Sequence, residues 1–140
     1  MRNLLSIILA VFLISCAIEP QEISYGKDAC HSCKMNIVDQ QHAAEIVSKK
    51  GKVYKYDSIE CMIRDNKNNQ PEEIAMYLVM DYNKPNTFLN ASEATFLISN
   101  NIPSPMGGFL SALSSEVEAE KLQSQHDGSL HNWEEIQKQF

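Results

Sequence analysis

The chain has 140 residues, which suits a single domain on a working scale of about 100–200 residues each. Its 18 acidic residues outnumber 12 basic ones, for a net charge of −6, and no basic run long enough for a nucleic-acid footprint occurs. With 44% hydrophobic residues the composition is that of a globular chain, not a disordered one.

Met1-Arg2-Asn3 followed by the apolar run Leu4–Ile14 reads as a secretory signal peptide over residues 1–15. The run is too short for a bilayer-spanning helix, which needs about 20 residues. Leu13-Ile14-Ser15-Cys16 resembles the lipobox of bacterial lipoproteins. That resemblance implies cleavage before Cys16, acylation of Cys16 and a lipid anchor, with residues 16–27 as acylated cysteine and polar tether. The alternative is an ordinary secretory peptide with an incidental cysteine. Beyond Cys16 three thiols remain, Cys30, Cys33 and Cys61. Three cannot all pair within one chain, and an unpaired thiol in an oxidising envelope needs a reason.

In chain order, Ala43–Lys49 and Val53–Tyr56 are β-prone runs around Lys50-Gly51 and predict a hairpin. Asp57-Ser58-Ile59-Glu60 has the pattern of a capping box, with Asp57 as N-cap, opening a helix to about Asn66. Ile74–Tyr82 reads as a strand and Asn83–Asn86 as a turn. Thr87–Leu89 is expected to be extended and to open a second half: strand Ala94–Ser99, a rigid loop Ile102–Gly108, and strand Phe109–Leu113. A helix capped by Ser115 and stopped at Asp127-Gly128 follows, then a short strand Ser129–His131 and a terminal helix opened by Asn132 and Glu135. Each half runs strand, strand, helix, strand. The expectation is one α+β domain over residues 28–140, built of two ββαβ-type units with mainly antiparallel sheet.

Cys30-His31-Ser32-Cys33-Lys34-Met35 is the most informative stretch. A zinc site usually needs four ligands, and no second C-x-x-C is present. A thioredoxin-type dithiol needs a helix behind its first cysteine, and Asn36–Asp39 reads as extended or looped. A plain Cys30–Cys33 disulfide would leave Met35 without a role. Thiolate and thioether together select Cu(I). If the chain is extended there, Cys33 and Met35 share a face, with Cys30 within reach from the preceding turn. Met106, between Pro105 and Gly107-Gly108, stands open between ligand and filler. Met62, Met76 and Met80 read as core, Cys61 as buried and inert, and Asp57 as a cap. His31 and His42 are candidate nitrogen ligands, while His126 and His131 read as helix-end and loop residues.

Taken in order, these motifs resemble the NosL family of copper-binding lipoproteins accessory to nitrous oxide reductase. The resemblance is carried by Cys16 at the lipobox, Cys30-x-x-Cys33-x-Met35, and Pro105-Met106-Gly107-Gly108-Phe109-Leu110-Ser111-Ala112, with support from Tyr56–Cys61 and Asn90–Ala94. It implies a non-enzymatic, lipid-anchored, periplasm-facing Cu(I) chaperone. Its partners would be the nitrous oxide reductase apo-enzyme and that enzyme's periplasmic and membrane copper-assembly proteins. Cys33, Met35 and Met106 are the ligands the resemblance implies, with Cys30 in support, and the implied fold is again a pair of ββαβ units. Lys34 departs from the family's usual Gly and would be strained if that residue has positive φ. A membrane-tethered thiol oxidoreductase using Cys30 and Cys33 is the competing class, and a passive copper buffer a third.

Overall fold

The hairpin after His42 sets the frame. Ala44–Ser48 (β1) and Val53–Tyr56 (β2) pair antiparallel, with Gly51 at φ +77° in the turn between them. In this computed structural model, which describes residues 17–68 and 73–140, the chain then enters helix α1 (Ile59–Asn68) and returns as β3 (Ile74–Met80). β3 pairs antiparallel with the free side of β1, giving the order β2-β1-β3. β1 therefore lies in the middle and is buried along its whole length.

The second unit repeats the path. Thr95–Ile98 (β5) pairs with Leu110–Leu113 (β6), the chain passes through α2 (Glu116–His126), and Ser129–His131 (β7) closes on the other side of β5. The order β6-β5-β7 is the same topology as β2-β1-β3, so the expected pair of ββαβ units is present. One segment belongs elsewhere than expected. Phe88–Asn90 (β4) pairs with β3 and extends the first sheet; it does not open the second unit. The turn at Asn83–Asn86, with Asn86 at φ +64°, sends the chain straight back along β3. A parallel bridge, Asp81 to Ala112, and the bond from Tyr82 N–H to the Ala112 carbonyl (2.9 Å) join the two sheets.

The main core contains Tyr56, Ile59, Met62, Met80, Phe96, Leu110 and Ile136, all essentially inaccessible, and Leu97, Ile102, Leu113, Ala119 and Leu122 form a second cluster under α2. Met62 and Met80 are core residues as expected, and Met76 is half-buried. The terminal helix α3 (Trp133–Gln139) ties the units together: Trp133 stacks on Phe96 of β5 (5.7 Å) and tilts onto Tyr77 of β3 (5.5 Å). Its capping box, Asn132 with Glu135, and the Ser115 cap of α2 are both formed. Gln21 to Gly26 does not hang free of the domain. Gln21 N–H donates to buried Glu45 of β1 (2.9 Å), Lys55 of β2 donates to the Glu22 carbonyl (2.7 Å), and Ile23 is buried. The signal segment and Cys16 lie outside the described residues, as do residues 69–72. No described helix is long and apolar enough to cross a membrane.

Candidate metal centre

The C-x-x-C-x-M stretch forms the loop of a small hairpin. Asp28 and Ile37 are bonded through Ile37 N–H (2.9 Å), Ala29 bridges Asn36, and Cys30 N–H reaches the Met35 carbonyl (2.8 Å). The turn inside it is closed by Lys34 N–H to the Cys30 carbonyl (3.1 Å). Lys34 sits at φ +67°, so of the two alternatives for this segment the left-handed turn is present and the extended chain is not. Left-handed backbone costs a side-chain-bearing residue about 1–2 kcal/mol. Here the Lys34 ammonium bonds to the His31 carbonyl across the turn. Met35 is 56% exposed. The hairpin is fastened to β2 by His31 N–H to the Lys55 carbonyl (2.7 Å) and by the Lys55–Asp28 ion pair (2.7 Å).

That docking carries Cys30 and Cys33 to the junction of β2 and α1. Expectation and structure part here. α1 is capped by Ser58, whose Oγ accepts from Cys61 N–H (3.2 Å), and not by Asp57. Moving the cap by one residue releases both members of the expected capping box. Asp57, 3% exposed, accepts from the Cys33 thiol through Oδ2 (3.4 Å), and its Oδ1 is buried without a hydrogen-bond partner. Cys61, placed in the first turn of α1, joins them. Ligand atoms of Cys30, Cys33, Asp57 and Cys61 all lie within 4.8 Å of one another. The three cysteines are free thiols; Cys30 and Cys61 are buried and Cys33 is partly accessible. Cys61 is therefore buried but not isolated, and Asp57 has a task other than capping.

Crowding splits the three sulfurs. A hydrogen bond from Cys61, reinforced by backbone groups of Asp57, Cys33 and Ser32, lowers the Cys30 thiol to about 6 against the opposing effect of burial. The same bond, burial and the negative charges of Cys30 and Asp57 push Cys61 up. Burial chiefly raises Cys33. Cys30 is thus the most acidic of the three thiols, and Cys33 and Cys61 are shifted the other way.

Glu60, the other residue released from the cap, holds the Met106 loop. Its Oε1 accepts from Ser104 Oγ (2.5 Å) and Gly108 N–H (3.0 Å), and Ser104 Oγ in turn accepts from Phe109 N–H (2.8 Å). A Cβ on Gly108 would lie 2.8 Å from the Glu60 carboxyl carbon, so glycine is what lets the loop approach. The loop carrying Met106 is in this way tied to the turn of α1 that carries Cys61. Met106 is half-buried and packs on the main core cluster, to which Cys30 and Cys61 also belong.

The histidines lie outside the four-donor cluster. His31 is exposed, its ring edge-on to Tyr54 (4.7 Å). His42 bonds to Asp39 (3.0 Å) and Ser111 (3.2 Å). This Asp–His–Ser line has the order of a hydrolase triad, but Ser111 is wholly inaccessible inside β6, so the line is a clasp between the units. Two clues to Asp57 and Cys61 were present in the sequence. One was the odd thiol left over, and the other was a pair of adjacent capping residues, Asp57 and Ser58, of which only one can cap.

Two ββαβ units with a buried thiol and carboxylate cluster at a strand–helix junction define a small α+β domain with the chemistry of a thiophilic metal centre. The NosL family matches residues 20–140, and the chain belongs to that family. Its fold is similar to the crystal structure of the copper chaperone NosL from Shewanella denitrificans, with a TM-score of 0.73 over 85% of this chain and 96% of that one, at 24% identity. No curated protein matches the chain.

Proposed function

We propose that the protein is a periplasm-facing, lipid-anchored carrier of Cu(I) that supplies copper to nitrous oxide reductase through the apo-enzyme and its assembly proteins. The observation that carries the copper reading is the gathering of three cysteine sulfurs within 4.8 Å. Copper is the cargo, and the donor set fits it: soft sulfur ligands select Cu(I) over harder cations. Membership of the NosL family and likeness to a protein described as a copper chaperone support the same reading. Cys33, with Cys30 and Cys61, supplies the thiol donors, and Met35 and Met106 are the thioether donors. Hand-over is by associative exchange. A partner's ligand enters at the accessible side, where Cys33 is partly open and Met35 is exposed, before a sulfur of this chain leaves. No substrate bond is made or broken, so the protein is not an enzyme. Cys16 is the acylated residue.

A Cu(I) chelator competition on the reduced protein tests this. Met106→Ala should fold and lose affinity, and adding Cys33→Ser should nearly remove binding. A thiol oxidoreductase would instead be indifferent to Met106→Ala and equally damaged by Cys30→Ser and Cys33→Ser, because both sulfurs form its disulfide. For the anchor, Cys16→Ser should abolish incorporation of labelled palmitate; continued labelling would remove the lipoprotein reading.

A further inference from the structure

Sulfur donors alone leave Asp57 unexplained. Asp57 is only 3% exposed, and its buried Oδ1 has no hydrogen-bond partner. A buried carboxylate oxygen without a partner carries a desolvation penalty that a bound cation would relieve. A soft monovalent metal does not call for such an oxygen; a borderline divalent metal does.

We propose that the pocket of Cys30, Cys33, Cys61 and Asp57 also holds a zinc-type divalent cation, four-coordinate, as its occupant when Cu(I) is absent. The inference rests on the reading of this pocket as a metal centre, though not on copper being its cargo. Four ligands is the closed count for a structural zinc site, and Zn–S near 2.3 Å with Zn–O near 2.0–2.2 Å requires donor–donor edges of roughly 3.5–3.8 Å. Donors already within 4.8 Å of one another need only a small contraction to reach that geometry. The ligands come from two pieces of chain, the 30–33 turn and the β2–α1 junction, so closure also pins the hairpin loop to the helix.

The zinc-type ion keeps the three sulfurs apart from one another and from oxidants. Incoming Cu(I), softer, takes the sulfurs; the bond from Asp57 to the divalent ion breaks and the ion is released. The pocket therefore has two overlapping donor sets: a four-donor set that includes Asp57, and a sulfur set that extends to Met35 and Met106.

The test uses the reduced, metal-free full-length chain carrying Cys16→Ser, so that only the three pocket thiols remain. Zn(II) and Cu(I) are each titrated against a chromophoric chelator, and Co(II) replaces Zn(II) as a spectroscopic probe. The expected results are one Zn(II) per chain and a Co(II) spectrum with tetrahedral bands and thiolate charge transfer. Asp57→Asn should weaken Zn(II) about tenfold more than it weakens Cu(I). Met106→Ala should do the reverse, weakening Cu(I) and leaving Zn(II) as it was. An octahedral Co(II) spectrum without thiolate charge transfer would overturn the proposal without recourse to any variant. So would equal losses of the two metals in Asp57→Asn. Failure of the copper reading would look different: Cu(I) affinity insensitive to Met106→Ala while the tetrahedral Co(II) site persists.

Discussion

Glu60 offers the sharpest mutational test of how the site is held together. The carboxylate is fully buried and its Oε1 receives two donors, Ser104 Oγ and Gly108 N–H. Glu60→Ala leaves both donors without an acceptor in a dry environment, at about 1–3 kcal/mol each. The expected loss is thus about 2–6 kcal/mol, a large part of the roughly 5–15 kcal/mol that holds an ordinary domain together. In a domain of this size each kcal/mol lowers Tm by roughly 3–5 °C. Glu60→Gln keeps a carbonyl acceptor at the same place and should lose only about 1 kcal/mol. Gly108→Ala should be destabilising by about 1–3 kcal/mol through overpacking, because its Cβ would meet the Glu60 carboxyl at 2.8 Å. That loss should shrink in the Glu60→Ala background, where the obstruction is gone. The assay is a double-mutant cycle by urea melts of the reduced, metal-free protein. Equal stability of the Ala and Gln variants, or strict additivity with Gly108→Ala, would refute the clasp.

Other consequences are independent of it. Burial raises Glu45 to about 7. A carboxyl whose folded value exceeds its unfolded value stabilises the fold at low pH and less so as pH rises through the folded value. The Glu45 contribution should therefore fall by up to about 3 kcal/mol between pH 4.5 and 8, and Glu45→Gln should lose that part of the pH slope; an unchanged slope in the variant would count against it. Cys30 has the opposite sign, its folded value of about 6 lying below the ordinary thiol value. The thiolate absorbance of the metal-free protein should titrate near 6, disappear in Cys30→Ser and move upward in Cys61→Ala, where the donor is lost; no movement would remove Cys61 as its cause. Lys34→Gly relieves a left-handed backbone and should raise stability by up to about 1 kcal/mol in urea melts, whereas a loss would contradict the turn.

Much of this was legible in the residues. β-Prone runs and the Lys50-Gly51, Asn83–Asn86 and Asp127-Gly128 turns marked the two ββαβ units, since strand and turn chemistry there is local. β4 was assigned to the wrong unit because Phe88–Asn90 carries no mark of the strand it will pair with; only the tightness of the preceding turn decides. The site was half legible. Cys30, Cys33 and Met35 stand out by spacing, but their conformation depends on Lys34 at positive φ, for which lysine gives no local signal. Asp57 and Cys61 were hidden by a true ambiguity. Asp57 and Ser58 are both good caps, and the choice is made by tertiary contact, Asp57 to the Cys33 thiol and Glu60 to the Met106 loop.

Under the proposed function, Cu(I) is held by sulfur in the pocket where Cys30, Cys33 and Cys61 meet. X-ray absorption at the copper edge of the reduced protein loaded with one Cu(I) per chain tests it most directly. The expected spectrum is that of a low-coordinate copper with a shell of two or three sulfur neighbours, which loses a sulfur in Cys33→Ser. A shell dominated by nitrogen or oxygen, or one unchanged by Cys33→Ser, would contradict it.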